Sequence, residues 1–175
     1  MADSTRWAGL LRAVNVGGRQ LTMAKLKAAA ESAGFEDVAT LLASGNVTFS
    51  GGGSEKAIRG KLEKALSEEA GFAIEVMLRR KPQLQKLLKA NPFPDGSGSK
   101  VLIGFLDGTA PAGLADKLAE VAINERIEVA GKEVWIDFVD GVGRSKLAAK
   151  LPALCKPRLV TARNVNTVAK LVDKL

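Results

Sequence analysis

The order in which helical and strand periodicities follow one another constrains this chain more than any single motif. Residues 7–14 form an apolar run broken by Arg12 and predict a strand, closed by the turn Asn15-Val16-Gly17-Gly18-Arg19. Thr22 then caps a helix in which Met23, Leu26, Ala30 and Ala33 recur at helical spacing. Residues 38–43 and 47–50 flank Ser44-Gly45-Asn46, where Gly and Asn accept positive φ, and so predict a hairpin. Ser54 caps a second helix with Ala57, Ile58, Leu62, Ala65 and Leu66 on one face, and residues 73–78 supply a fourth strand. Both helices stop at the same Ala-Gly-Phe, at residues 33–35 and 70–72. The order β-α-β-β-α-β is the split βαβ arrangement, in which two helices cover one face of an antiparallel sheet.

The pattern then recurs. Pro82 opens a short helix halted near Asn91-Pro92-Phe93-Pro94, and Asp95-Gly96-Ser97-Gly98-Ser99 has the composition of a linker. Beyond it come a strand at 101–106, a helix from Pro111 with Leu114, Leu118 and Val121, and hairpin strands at 127–130 and 134–139. A helix at 145–151, a short strand at 159–161 and a final helix through Val165, Val168, Ala169 and Val172 complete the series. The predicted fold is therefore α+β: two ferredoxin-like (split β-α-β) halves, a structural duplication, with antiparallel sheets carrying helices on one face. The boundaries are 1–80 for the N-terminal half, 81–100 for a connecting helix and linker, and 101–175 for the C-terminal half with its terminal helix.

Composition narrows the function classes. With 46 % hydrophobic residues the chain can bury a core without metals or disulfides. No run approaches the ~18 apolar residues of a membrane span, and residues 1–6 lack the charged and apolar regions of a signal peptide, so the expectation is a cytoplasmic protein with no membrane partner. Cys155 is the one cysteine, which excludes an intramolecular disulfide, and its expected role is that of a small hydrophobe rather than a nucleophile. The absence of histidine and tyrosine removes Ser-His-Asp and Cys-His catalysis, imidazole-based zinc sites and the usual neutral-pH base. Asp107, Asp137 and Asp140 lie at strand ends, where solvation accounts for them, so no metal site is expected and the sequence specifies neither a reaction nor a cofactor.

The net charge of +7 is unevenly placed. Residues 144–175 hold eight Lys/Arg against the single acid Asp173, which leaves residues 1–143 balanced at 18 of each sign. That excess begins inside Gly141-Val142-Gly143-Arg144-Ser145-Lys146, a glycine turn leading into a helix whose N-terminus adds roughly half a positive charge. An anion would be attracted there. The motif lacks both the spacer of a Walker A loop and the third glycine of a dinucleotide fingerprint, so a plain helix-start anion site is the reading it supports.

Several motifs stand together in order: Leu10-Leu11-Arg12-Ala13-Val14-Asn15-Val16-Gly17-Gly18, Ser44-Gly45-Asn46-Val47-Thr48-Phe49, Asn91-Pro92-Phe93-Pro94, the Gly141 motif through Leu147, and Thr161-Ala162-Arg163-Asn164-Val165-Asn166-Thr167. In this the chain resembles the bacterial domain-of-unknown-function family 1697 from Trp7 to Val172. The resemblance implies an α+β cytosolic protein and no established activity. The chain departs from the family pattern at Ala13, where Gly is usual after the arginine, and at Val165, where an aromatic residue is common.

Arg163 is expected at the positive end of the last helix, where a cation is electrostatically misplaced unless an anion joins it, with Asn164 or Asn166 as the cap. The functional expectation is thus a phosphorylated or other anionic small ligand held in a cleft between the halves. Gly143, Arg144, Ser145, Lys146, Arg163, Asn164 and Asn166 would form one side, facing Arg12, Asn15, Gly17, Gly18, Ser44 and Asn46. The alternatives are a nucleic-acid binder using the basic C-terminal segment, or an interaction module meeting an acidic protein. The strands lack the aromatic octamer of RNA-recognition sheets, which weighs against the first. A monomer or weak homodimer is expected.

Overall fold

The structure is a computed structural model that describes residues 4–175. Its elements run β1 (Thr5–Leu11), α1 (Met23–Ser32), β2 (Glu36–Leu41), β3 (Asn46–Gly51), α2 (Glu55–Ala70), β4 (Val76–Arg80), α3 (Lys81–Lys89), β5 (Val101–Leu106), α4 (Leu114–Val121), β6 (Arg126–Ala130), β7 (Glu133–Asp137), α5 (Lys146–Leu154), β8 (Val160–Asn164) and α6 (Val165–Lys174). Two four-stranded sheets result, ordered β2-β3-β1-β4 and β6-β7-β5-β8, with every pairing antiparallel. This is the split βαβ order twice over, so the duplication is real. The chain separates into two compact units, one running as far as Lys86 and taking in Lys170–Leu175, the other Leu87–Ala169.

In the first unit the alternate strand residues Trp7, Leu11, Val47, Phe49, Val76 and Leu78 pack with Leu26 and Ala30 of α1 and Ile58, Leu62 and Leu66 of α2. In the second, Val134, Ile136, Leu106 and Val160 pack with Leu114 and Leu118 of α4 and Leu147 and Leu151 of α5. Each core follows from the period-two alternation of strands meeting the 3.6-residue stripe of helices. The residues on the opposite faces are buried too, among them Leu10, Thr48, Met77 and Arg79 in one sheet and Ile103, Trp135, Asp137 and Arg163 in the other.

The duplication extends to single positions. Gly9 in β1 lies opposite Val47 and Leu78, while Gly104 in β5 lies opposite Val134 and Ala162. A Cβ on Gly9 would come within 2.9 Å of Val47 Cγ1, and one on Gly104 within 3.2 Å of Val160 Cγ2. The residue before each glycine faces a buried arginine on the outer strand: Ala8 pairs with Arg79 and Ile103 with Arg163.

The expected caps occur. Thr22 Oγ1 accepts the Lys25 N–H at 3.2 Å and Ser54 Oγ that of Ala57 at 3.1 Å. Both Ala-Gly-Phe stops use a left-handed glycine, Gly34 at φ 92° and Gly71 at φ 81°. Several boundaries differ from the sequence expectation. The first strand ends at Leu11 and the fourth begins at Val76, because their pairing with each other fixes both ends. A turn at Pro111–Gly113 delays α4 to Leu114, and α5 runs on to Leu154 through Pro152.

The last strand departs furthest. It spans Val160–Asn164 rather than 159–161, because β5 offers pairing partners as far as Leu102. The Asp95–Ser99 stretch is held rather than loose: Ser97 O accepts from Lys100 N at 2.8 Å and Val101 N at 2.9 Å, and Gly98 O accepts from Asn166 N at 3.2 Å.

Two loop positions generate opposite expectations. Gly45 sits at φ 88°, and a Cβ there would lie 2.6 Å from Val14 Cγ2 and 2.9 Å from Leu11 Cβ. Gly45→Ala should therefore cost about 2 kcal/mol or more, combining backbone strain with overpacking. Ala13 occupies the left-handed region at φ 54° without being glycine. Ala13→Gly should raise stability by about 0.5–1 kcal/mol, the strain relieved less the extra chain entropy. Urea unfolding midpoints of the two variants check both signs.

Candidate functional site

The second sheet brings four strand ends together. Asp137 at the end of β7 pairs with Val101 at the start of β5 and with Arg126 at the start of β6, while Asn164 at the end of β8 pairs with Leu102. The turn after β7 therefore enters α5 beside the residues that lead into β6. Ser145 caps α5, its Oγ accepting the Ala148 N–H at 3.1 Å while donating to Glu125 Oε1 at 2.7 Å. Glu125 Oε2 accepts the N–H groups of Ile123 at 2.8 Å and Asn124 at 3.2 Å. Burial pushes the Glu125 carboxyl up, but these hydrogen bonds, Ser145 first, outweigh it and hold its pKa below the ordinary carboxylate value.

A cleft of about 340 Å³ opens here, lined by Ile123, Asn124, Glu125, Phe138, Asp140, Gly141, Arg144, Ser145 and Lys146. Asn124 Nδ2 donates to Asp140 Oδ2. Gly141 turns the chain at φ 92°. Arg144 and Lys146 are exposed, and the first two N–H groups of α5, those of Lys146 and Leu147, have no acceptor among the described residues. The arrangement can offer the Lys146 N–H and two cations to a ligand, beside two carboxylates.

The sequence singled out Gly143, Arg144, Ser145 and Lys146, and these share one turn. The signal for Glu125, Asn124 and Asp140 was absent, since their meeting with α5 depends on the β6–β7 pairing. Arg126 was also missed: it forks onto Asp137 Oδ2 at 2.6 and 3.0 Å, bridges to Asp95 at 3.1 Å and stacks on Phe93, with its Cζ 4.7 Å from the ring centroid. That gives Asn91-Pro92-Phe93-Pro94 and Asp137 a structural use. Asp107 likewise accepts the Leu159 N–H at 3.0 Å.

The longer last strand takes in Arg163. Arg163 is buried there, donating to Thr161 Oγ1 at 2.7 Å and Ala162 O at 2.9 Å, and burial pushes its pKa down to about 10. The helix α6 begins at Val165, so Arg163 stands just before its start as expected, but its backbone belongs to β8 and its side chain is buried in the sheet. Asn164 is the cap of α6, its Oδ1 accepting the Thr167 N–H at 2.8 Å. Arg163, Asn164 and Asn166 do not line the α5 cleft.

In the first unit the polar groups of the named residues meet other parts of the fold. Asn15 accepts from Leu21 N at 2.9 Å and donates to Leu21 O at 3.1 Å and to Ala43 O, tying its loop to the β2–β3 hairpin. Asn46 is fully buried and donates to Leu41 O at 2.7 Å and Ser44 Oγ at 3.0 Å. Arg12 Nη1 lies 3.7 Å from Glu75 Oε1. Gly17 and Gly18 take φ of 53° and 82°, and Arg19 closes their turn by donating to Ala13 O and Ala73 O over the Phe72 ring. Cys155 is fully buried and burial pushes its thiol up to about 11, which leaves it protonated and inert, as its expected packing role requires. Among the described residues no helix is long and apolar enough to cross a membrane.

A family model described as "Protein of unknown function (DUF1697)" matches residues 4–135, so the turn into α5 falls beyond the match while Ile123–Glu125 fall within it. No curated protein matches the chain. The structure of a conserved bacterial protein from Streptococcus pneumoniae is similar over 98 % of this chain and 99 % of that one, at a TM-score of 0.73 and 22 % identity, a likeness of fold. With the family model covering most of its length, the chain belongs to the DUF1697 family, whose description assigns no activity.

Proposed function

We propose that this protein binds a small anionic compound, phosphorylated or carboxylated, in the cleft at the start of α5. The observation that carries this is the pair of exposed cations, Arg144 and Lys146, on one concave surface at the start of α5, together with the N–H of Lys146, acceptor-free among the described residues. Backbone N–H groups at a helix start and nearby cations are the donors that phosphate and carboxylate groups take. Glu125 forms the inner wall of the same cleft. Its carboxylate already draws the Ser145 hydroxyl and two loop N–H groups, so the loop before β6 and the cap of α5 hold a charged acceptor together.

Arg144→Ala and Lys146→Ala should each weaken binding of inorganic phosphate more than tenfold, since a hydrogen bond to a charged group contributes about 1.5–3 kcal/mol. Calorimetric titration reads this, and unaltered phosphate affinity in both variants would sink the proposal. Single-stranded RNA is the comparison: affinity falling with salt at a slope of about −0.7 per contact would instead favour a nucleic-acid surface.

Glu125 also gives a pH test. Its folded-state pKa lies below the ordinary 4.5, so its contribution to stability is present above that value and is lost as pH falls through the lower folded value. Glu125→Gln should melt below the wild type at neutral pH, and the two curves should converge at pH well under 4.5. A constant gap across that range would mean the carboxylate charge contributes nothing.

A further inference from the structure

We propose that the ligand of the α5 cleft is a zwitterion, an acid group joined by a short aliphatic chain to an ammonium group. This rests on the anion-site reading above and adds which anion the cleft selects. Four charged side chains line the one cavity: Arg144 and Lys146 on the helix side, Glu125 and Asp140 beside them. None of the four makes an ion pair among the described residues, although opposite charges share a space of about 340 Å³. The protein therefore leaves both signs available to a visitor.

A bare anion drawn to Arg144 and Lys146 also meets two carboxylates, and that repulsion offsets part of the attraction. An ammonium group on the same molecule turns the repulsion into a second attraction. Glu125 has most of its acceptor capacity occupied by Ser145, Ile123 and Asn124, whereas Asp140 among the described residues accepts only from Asn124 and is exposed, so Asp140 is the principal partner for the cation. Ile123, a large apolar side chain left 81 % exposed at the cleft, offers a surface to the methylenes between the two charges.

Titration of wild type and Asp140→Asn with inorganic phosphate and with O-phosphoethanolamine at one ionic strength tests this. Wild type should bind phosphoethanolamine at least tenfold more tightly than phosphate, although phosphate is the more highly charged. Asp140→Asn should narrow the difference to threefold or less with an unchanged melting temperature. Equal affinities in the wild type, or a preference untouched by Asp140→Asn, would overturn the zwitterion while leaving the anion site standing. Binding of neither compound would remove the anion site and this inference with it.

Discussion

Close approach at a glycine in a central strand is the contact on which each half depends. At Gly9 the missing side chain lets Val47, Val76 and, from α2, Leu62 converge on β1, the last with its Cδ2 3.4 Å from where a Cβ would stand. Gly104 does the same in β5 with Val134 and Val160. Protein interiors are packed too densely to absorb even one added carbon cheaply, so strand packing in each half, and the seating of α2 in the first, are tied to that residue. The two halves share almost no sequence, yet keep the glycine and a buried arginine one residue after the glycine's partner on the outer strand.

Charge is handled in two ways. Asp137 and Arg163 are buried and bound by other groups of the fold: Asp137 takes a forked Arg126, and Arg163 lies along its strand against Thr161 and Ala162. Such groups are costly to bury and costlier to orphan, which makes them parts of the scaffold. Arg144, Lys146 and Asp140 stay on the cleft surface without ion pairs among the described residues, where a ligand rather than the fold can use them. The contrast separates Arg126 and Arg163, bound within the fold, from Arg144 on the cleft surface.

The basic tail looks different once placed. Its sequence excess is a property of the chain, and two of its members are engaged by the fold: Arg163 is inside a sheet and Arg158 donates to Thr109 O at 2.9 Å. What remains beside the glycine turn is a small mixed-charge cleft. A run of like charge along a chain becomes a field only if the fold keeps its members on one face.

Local physics determined much of this protein from sequence alone. Thr22, Ser54 and Ser145 cap helices because their hydroxyls satisfy N–H groups a few residues on; Gly45 closes a hairpin because it tolerates positive φ; alternation set the strands of both sheets. The order of elements, and hence the duplicated fold, followed from those signals. Tertiary structure decided the rest. Whether Arg163 lay in a strand or a helix start turned on how far β5 offers backbone partners, and Glu125 came to Ser145 only because β6 pairs with β7. Periodicity and caps act over a few residues, whereas a binding surface is assembled by strand pairings between segments tens of residues apart, and no local pattern in the chain encodes which of its charges will be left facing one another.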